Sequence, residues 1–218
     1  MMRTALWTLA NVAGLLSLGA QVTARLPPAD PLVVIIPVGE VPWEYADAVQ
    51  EALAGRLDAR VVVAEGAEIP EEAWVEELER ADADALTALG ESLAPPDAWK
   101  VVVLTQAPLM RHAWEGPELM VGSGQVRGRA CVVSLARLLE RSASEEGAAR
   151  RLADLALHEV GHTLGLRHCS VPGCVMGMSE GDIVAWADLR RNGYCPLCHL
   201  HGPGGVLREA RWDGSPAR

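Results

Sequence analysis

The chain has 218 residues, half of them apolar, and a formal net charge of −10 at pH 7. That length favours one domain, or one domain with a small appendage, and the apolar half is enough for a sizeable core. An acidic chain repels phosphate backbones, which argues against nucleic acid as a partner.

The N-terminal segment, residues 1–31, is set apart from the rest of the chain. Arg3 precedes an apolar stretch that continues to Ala20, and Val22-Thr23-Ala24 offers a signal-peptidase site. Two interpretations stay open: a secretory signal or weak anchor over residues 1–24, or an N-terminal extension without a targeting role. The stretch is short for a membrane-spanning helix and is interrupted by the polar residues Asn11 and Ser17, so we expect no membrane role beyond such an anchor. In either case the segment lies outside the main fold.

Beyond residue 31, hydrophobic patterning predicts alternating strands and helices. Strands are predicted at 32–38, 60–64, 100–105, 118–121 and 129–135, and helices at 43–57, 70–93 (in one or two pieces), 146–165 and 179–191. The strand-helix-strand spacing indicates a parallel crossover. Residues 106–117 and the glycine-rich connection 122–128 are interpreted as loops. We therefore predict an α/β fold with a mixed, mostly parallel, twisted sheet.

Two histidines and a glutamate near the end of the third predicted helix carry the first chemical signal. His158 and His162 are four residues apart, which places both imidazoles on one helix face, about 5–6 Å apart at Cβ. Two such rings can bind one Zn²⁺. Glu159 lies beside them, where it can act as general base toward a zinc-activated water.

Gly165 and His168 extend this motif. Glycine can adopt a positive φ and end the helix, after which His168 can turn back as a third ligand. Three histidines with one position left for water are typical of a catalytic zinc site. A coincidence of surface histidines and a zinc site that has lost its chemistry are the alternatives. The intact Glu159 argues against the second.

The chain contains five cysteines, an odd number that argues against a simple disulfide framework. Four of them form two close pairs: Cys169, Cys174, Cys195 and Cys198. This spacing fits a tetrahedral four-Cys zinc site, and two disulfides are the alternative if the N-terminal segment exports the chain. His199 and His201 could substitute as ligands but are interpreted as exposed polar residues. Cys131, in a predicted strand, is interpreted as a small buried apolar residue.

The run His158–His168 leads directly into Cys169, then Cys174-Val175-Met176 and Cys195-x-x-Cys198, and it resembles the archaemetzincin family of the metzincin peptidases. The resemblance implies a three-His catalytic zinc, an adjacent four-Cys structural zinc, and a methionine on a turn beneath the catalytic zinc. Spacing alone does not choose between Met176 and Met178 for that methionine. The resemblance assigns it to Met176.

The resemblance covers residues 32–200 and is strongest over 129–198. The chain departs from the family pattern at Pro108, where relatives carry an aspartate, and in the loop Gly122–Gly128. Both departures lie near the expected edge strand, so they bear on substrate selection. We divide the chain into an N-terminal signal-like or extension segment (1–31), an α/β subdomain with the active-site helix (32–166), a small zinc-stapled C-terminal subdomain (167–201) and a flexible tail (202–218).

These observations predict a metzincin-like zinc metallopeptidase with two Zn²⁺, one catalytic and one structural. We expect a peptide or protein substrate to add to the edge strand Glu118–Val121, and we expect a monomer. Tyr194 and His199 are positional candidates for stabilising the oxyanion. The alternative function is a zinc-binding interaction protein with a vestigial peptidase site. The family and four reduced thiols suggest the cytoplasm, whereas residues 1–24 suggest a secreted or periplasmic protein.

Overall fold

The computed structural model describes residues 27–177 and 193–208. The signal-like segment 1–24, the helix predicted at 179–191 and Met178 lie outside the described residues. Within the described ranges, no helix is both long enough and apolar enough to cross a membrane.

The described residues form nine strands and five helices, with two short 3₁₀ turns at Glu71–Ala73 and Glu76–Leu78. The strands are β1 Leu32–Val38, β2 Arg60–Val63, β3 Trp74–Val75, β4 Arg80–Asp82, β5 Lys100–Thr105, β6 Leu109–Ala113, β7 Gly116–Met120, β8 Gly122–Gly124 and β9 Ala130–Ser134. The helices are α1 Trp43–Arg56, α2 Ala83–Leu93, α3 Ala136–Glu140, α4 Glu145–Thr163 and α5 Pro196–His201.

A five-stranded sheet in the order β2-β1-β5-β9-β8 forms the centre of the molecule. The first four strands in this order are parallel, and β8 pairs antiparallel with β9 at one edge. The central strands are continuous apolar runs because helices cover both faces of the sheet. Helices α1 and α4 pack on one face and α2 on the other, which gives two hydrophobic clusters. The predicted mixed, mostly parallel sheet is confirmed.

A second sheet, β3-β4-β6-β7, was not predicted. The helix expected over 70–93 forms only from Ala83, because the side chain of Asp82 accepts hydrogen bonds from two backbone N–H groups of the first turn. Before it, Trp74 pairs with Ala81 across a turn in which Glu79 has a φ of 50°. Long-range pairing therefore overrides the helix propensity of this acidic stretch.

The predicted loop 106–117 contains β6 and the start of β7, which form an antiparallel hairpin. Pro117 lies in β7, an edge strand, where a residue without a backbone N–H is tolerated. The predicted strand Glu118–Val121 is therefore mostly part of this hairpin. It does not lie in the central sheet.

Helix α4 carries the two motif histidines and is nearly central in the fold. Ser144 caps its N-terminus by accepting a hydrogen bond from Gly147 N, and two acidic residues occupy the first turn. From Leu152 onward most of its side chains are buried between α1 and the sheet. The helix is thus a rigid support for the residues near its C-terminal end.

Part of the predicted flexible tail is held against the end of α1. The Asp58 backbone N–H donates to Val206 O at 2.7 Å, and Arg208 N donates to Arg56 O at 2.8 Å. Val206 is buried, so the segment 202–208 contributes to the core. The remaining tail residues, 209–218, lie outside the described part of the chain.

Candidate metal and catalytic site

The imidazoles of His158 and His162 face each other on one side of α4, with their Nε2 atoms 3.1 Å apart. His158 Nδ1 lies 2.7 Å from Val175 O, and His162 Nδ1 lies 2.9 Å from Leu166 O. A carbonyl can only accept, so each Nδ1 carries the proton and each Nε2 presents a lone pair. Two lone pairs at this distance repel each other unless a cation lies between them.

His168 completes this group from the other side of a sharp turn. Gly165 has a φ of 95°, which only glycine adopts at little cost, and it ends the helix as predicted. The His168 ring centroid lies 5.3 Å from that of His158 and 4.9 Å from that of His162. Burial, and then the neighbouring His162, lower the pKa of His168, which favours the neutral form that binds metals.

The three histidines fit a zinc ion. One ring nitrogen from each lies within 4.8 Å of the others. A tetrahedral zinc with Zn–N bonds of about 2.0–2.1 Å requires nitrogens about 3.3–3.4 Å apart, close to the observed His158–His162 separation. His168 is solvent-exposed, so the open side of the group faces the surface. The predicted ligands are therefore brought together in a geometry that leaves room for a further ligand.

Glu159 lies beside the histidines and is also buried, with 7% of its surface exposed. Its carboxylate packs against the backbone of β8: a Cβ on Gly122 would lie 2.9 Å from Oε1, and one on Gly124 would lie 3.0 Å from Oε2. Burial raises the pKa of the Glu159 carboxyl to about 8, against the charge of Arg111 and a hydrogen bond from the Gly124 backbone. Positive charge supplied by a metal would favour the ionised form.

The glycines of β8 were interpreted as part of a flexible loop. They are instead a strand whose alternate residues, Gly122 and Gly124, face Glu159 and leave space for its carboxylate. Ser123 points to the opposite face, where Arg111 donates a hydrogen bond to its hydroxyl. The two-residue spacing of the glycines was the signal in the sequence that could have indicated a strand with one smooth face.

The four C-terminal cysteines form a second group. Cys169 Sγ lies 3.6 Å from Cys195 Sγ, and Cys174 Sγ lies 3.6 Å from Cys198 Sγ. All four sulfurs lie within 4.8 Å of one another. Zn–S bonds of about 2.3 Å place sulfurs about 3.8 Å apart in a tetrahedron, which matches these distances, whereas a disulfide would need about 2.05 Å. The hydrogen bond from Cys198 lowers the pKa of Cys174 to about 5, which favours a thiolate.

Met176 lies beneath α4, with its sulfur against Gly161. Tyr194 packs against the same glycine, and its hydroxyl donates a hydrogen bond of 2.6 Å to Leu157 O. Both side chains are fully or almost fully buried. The Tyr194 hydroxyl thus bonds to the helix backbone, an arrangement that argues against Tyr194 as the candidate for stabilising the oxyanion. Nothing in the described structure places His199 at the histidine group.

Gly161 is required for this packing, and we expect Gly161→Ala to destabilise the fold. An added Cβ would overlap Met176 Sδ and would lie 3.1 Å from Tyr194 Cε1. We expect the free energy of unfolding to fall by about 1–3 kcal/mol, as for overpacked cores. Urea unfolding measures this loss. The control is Gly55→Ala in α1, where an added methyl meets no atom within 4 Å and should be neutral or slightly stabilising.

Comparison with known proteins places these features in a family. Residues 92–201 match the model of peptidase family M54. The archaemetzincin of Halobacterium salinarum is 29% identical over 173 residues, covering 76% of this chain and 96% of the relative. The archaemetzincin of Haloquadratum walsbyi is 26% identical over 175 residues, covering 77% and 97%.

Solved archaemetzincin structures have the same fold. The structure from Methanopyrus kandleri superposes with a TM-score of 0.66 at 26% identity, covering 79% of this chain and 93% of that one. The structure from Archaeoglobus fulgidus gives 0.63 at 23% identity, covering 77% and 97%. The family match spans half of the chain, and the fold agrees with it. The chain belongs to peptidase family M54, the archaemetzincins, and is a zinc metallopeptidase.

Proposed function

We propose that the chain hydrolyses peptide bonds with Glu159 as general base, using a catalytic zinc held by His158, His162 and His168. A second, structural zinc is held by the four cysteines. The observation that carries the proposal is the position of the Glu159 carboxylate, which is buried against the glycine face of β8 on the same helix that carries His158 and His162. Burial of a carboxylate lowers the stability of the fold, so a carboxylate kept at such a position indicates a function.

In the proposed reaction, the bound metal and the side chains of this protein have separate roles. When bound, zinc supplies a Lewis acid that polarises the scissile carbonyl and lowers the pKa of water. Glu159 accepts the proton from the attacking water through its carboxylate and then donates it to the leaving amine. The Val175 and Leu166 carbonyls hold the two helix histidines in the tautomer whose Nε2 can bind metal. Each role follows from a contact on α4 or its flanking turns.

The substrate is proposed to lie along β8. This strand pairs with β9 on one side, and in the described structure its other edge carries no partner strand. An extended peptide could add there through main-chain hydrogen bonds, with its backbone next to Glu159. The sequence-based expectation is instead that the substrate adds to Glu118–Val121. That segment lies mostly in the hairpin of the second sheet, so β8 is proposed in its place.

We expect Gly122→Ala to lower turnover while the protein stays folded and zinc-loaded. The added methyl would lie 2.9 Å from Glu159 Oε1 and 3.0 Å from its Cγ, so the carboxylate must shift. A displacement of catalytic groups of this kind lowers kcat by about ten- to a hundredfold. Steady-state kinetics on a cleaved peptide measures it, with Gly204→Ala, whose added methyl meets no atom within 4 Å, as the control. Unchanged kcat in Gly122→Ala would contradict the placement of the base.

The proposed activity can be tested without knowing the natural substrate. A diverse peptide library is incubated with zinc-loaded protein, with chelator-treated protein, and with treated protein to which zinc is restored, and fragments are identified by mass spectrometry. Fragments that disappear with chelation and return with zinc support the proposal, and their ends give the cleavage preference. Identical profiles in all three samples would favour the zinc-binding interaction protein.

A further inference from the structure

A cavity of about 490 Å³ lies against the last turn of α4, where Thr163 and Leu164 contribute to its lining. Three basic side chains line it, those of Lys100, Arg127 and Arg129. Among the residues that the structure describes, the rest of its lining is apolar or carries no charge, with Trp99 and Leu164 as examples. Three basic side chains with no acidic one among the described lining residues are unexpected in a chain with a net charge of −10.

Lys100 is the deepest of the three cations, with 7% of its surface exposed. Its Nζ donates to Gly128 O at 2.7 Å and to Thr163 O at 2.6 Å. Both acceptors are neutral carbonyls, and an ammonium group has three N–H donors, so these bonds leave one N–H without a carbonyl acceptor. Nζ also lies 5.2 Å from the centroid of the Trp99 ring, which is uncharged as well. Burial lowers the pKa of Lys100 to about 8, as expected for an ammonium without a carboxylate beside it.

Arg129, like Lys100, is anchored through neutral groups, and Arg127 lies at the surface beside it in the cavity lining. Arg129 donates to Pro95 O at 2.9 Å and to Ala98 O at 3.2 Å. Arg127 is exposed and adopts a positive φ of 64°, and its stem packs against Gly165. The side chains of Lys100 and Arg129 donate to backbone carbonyls, which orient these two cations without neutralising them. The cavity therefore keeps its positive charge.

We propose that this cavity binds a small tetrahedral oxyanion of the phosphate or sulfate class, with Lys100 at its base and Arg127 at its mouth. Guanidinium and ammonium groups are the usual partners of such anions. The site is independent of the peptidase proposal, since none of its residues belongs to the zinc or Glu159 groups.

The position of the cavity links an anion to the catalytic end of α4. The Arg127 backbone N–H donates to His162 O at 2.9 Å, and Thr163 O is bonded to Lys100. An anion that draws Arg127 and Lys100 together therefore tightens the turn at Gly165 from which His168 is presented. Binding is expected to reduce local opening of this turn.

Sulfate is the probe for the test, because it competes weakly with protein ligands for zinc. The ¹⁵N-labelled, zinc-loaded full chain is titrated with sodium sulfate at constant ionic strength maintained with sodium chloride. We expect saturable shifts at the amides of Gly128 and Leu164 and at the Trp99 indole N–H. Arg127→Gln should weaken the affinity by about tenfold or more, because it removes a charge-assisted hydrogen bond.

Arg137→Gln is the matched control, since it removes the same charge from an exposed position of α3 outside the cavity. Its affinity for sulfate should equal that of the unchanged chain. Equal weakening in both variants would mean that only general electrostatics is at work, and it would overturn the proposal. Shifts that do not saturate, or that centre on the histidine group, would overturn it as well. Arg127→Gln is preferred to a Lys100 variant because Lys100 also stabilises the end of α4.

Discussion

Glu159→Gln is expected to lower kcat for peptide cleavage by at least about a hundredfold, the usual contribution of a general base. The amide keeps the size of the carboxylate and its contacts with the glycines of β8, but it cannot accept the proton of the attacking water. The Nδ1 atoms of His158 and His162 bond to the backbone carbonyls of Val175 and Leu166, and the substitution leaves these bonds in place. Zinc content and the urea midpoint should therefore stay close to those of the unchanged chain.

The matched control is Glu146→Gln, an exposed carboxylate in the first turn of the same helix. It should leave kcat unchanged. Activity is measured on a peptide identified in the library experiment, and zinc by elemental mass spectrometry. A Glu159→Gln variant that cleaves peptide at the rate of the unchanged chain would contradict the general-base role. A variant that is inactive but has lost zinc would show that Glu159 supports the metal instead.

Cys198→Ser is expected to remove one of two zinc ions and to lower the free energy of unfolding by more than about 4 kcal/mol, because structural zinc contributes directly to folding. Cys198 Sγ lies 3.6 Å from Cys174 Sγ and is buried in α5. A serine hydroxyl is a poor zinc ligand at neutral pH, so three thiolates remain around a weakly held ion. The measurements are zinc per chain after brief chelation and urea unfolding.

Cys131→Ala is the control for this experiment. Cys131 is buried in β9, far in sequence from the four-cysteine group, and its sulfur contacts Val101 O at 3.7 Å. This variant should keep both zinc ions and lose about 1 kcal/mol of stability, as is typical of single substitutions. If Cys198→Ser retains two zinc ions after the same chelation, the four-cysteine site is refuted.

The four parallel strands of the central sheet could be predicted because they are apolar, largely β-branched runs between turn signals. Such a run, as in Leu32–Val38 or Lys100–Thr105, is buried on both faces whatever its neighbours are. The second sheet could not be predicted in this way. Trp74–Val75 and Arg80–Asp82 are too short to show a period, and their residues favour a helix locally. Only the long-range pairing with the β6–β7 hairpin makes them strands.

The candidate site divides along similar lines. Ligand side chains have characteristic types and spacings, so His158, His162 and His168 could be grouped from sequence, and the structure brings them together. The supporting contacts could not be predicted, because they are made by backbone carbonyls that any residue type carries. The glycine face of β8 was missed for the opposite reason. This face is formed by glycines, which have no side chain and so show no hydrophobic pattern. A Gly-Ser-Gly segment therefore resembles a loop in the sequence.

The hydrogen bond between His158 and the Val175 carbonyl joins the two metal groups through the backbone. Val175 lies between Cys174, a member of the cysteine group, and Met176 beneath α4. Ordering of this segment by one metal therefore favours the ring orientation that the other requires. If both proposed zinc ions are bound, linkage makes such cooperativity reciprocal, so depletion of either ion is expected to lower the affinity for the other by the same factor. With both proposed ions bound, oxidation of the thiols is then expected to lower peptidase activity indirectly, because it would weaken metal binding at histidines that are not themselves oxidised.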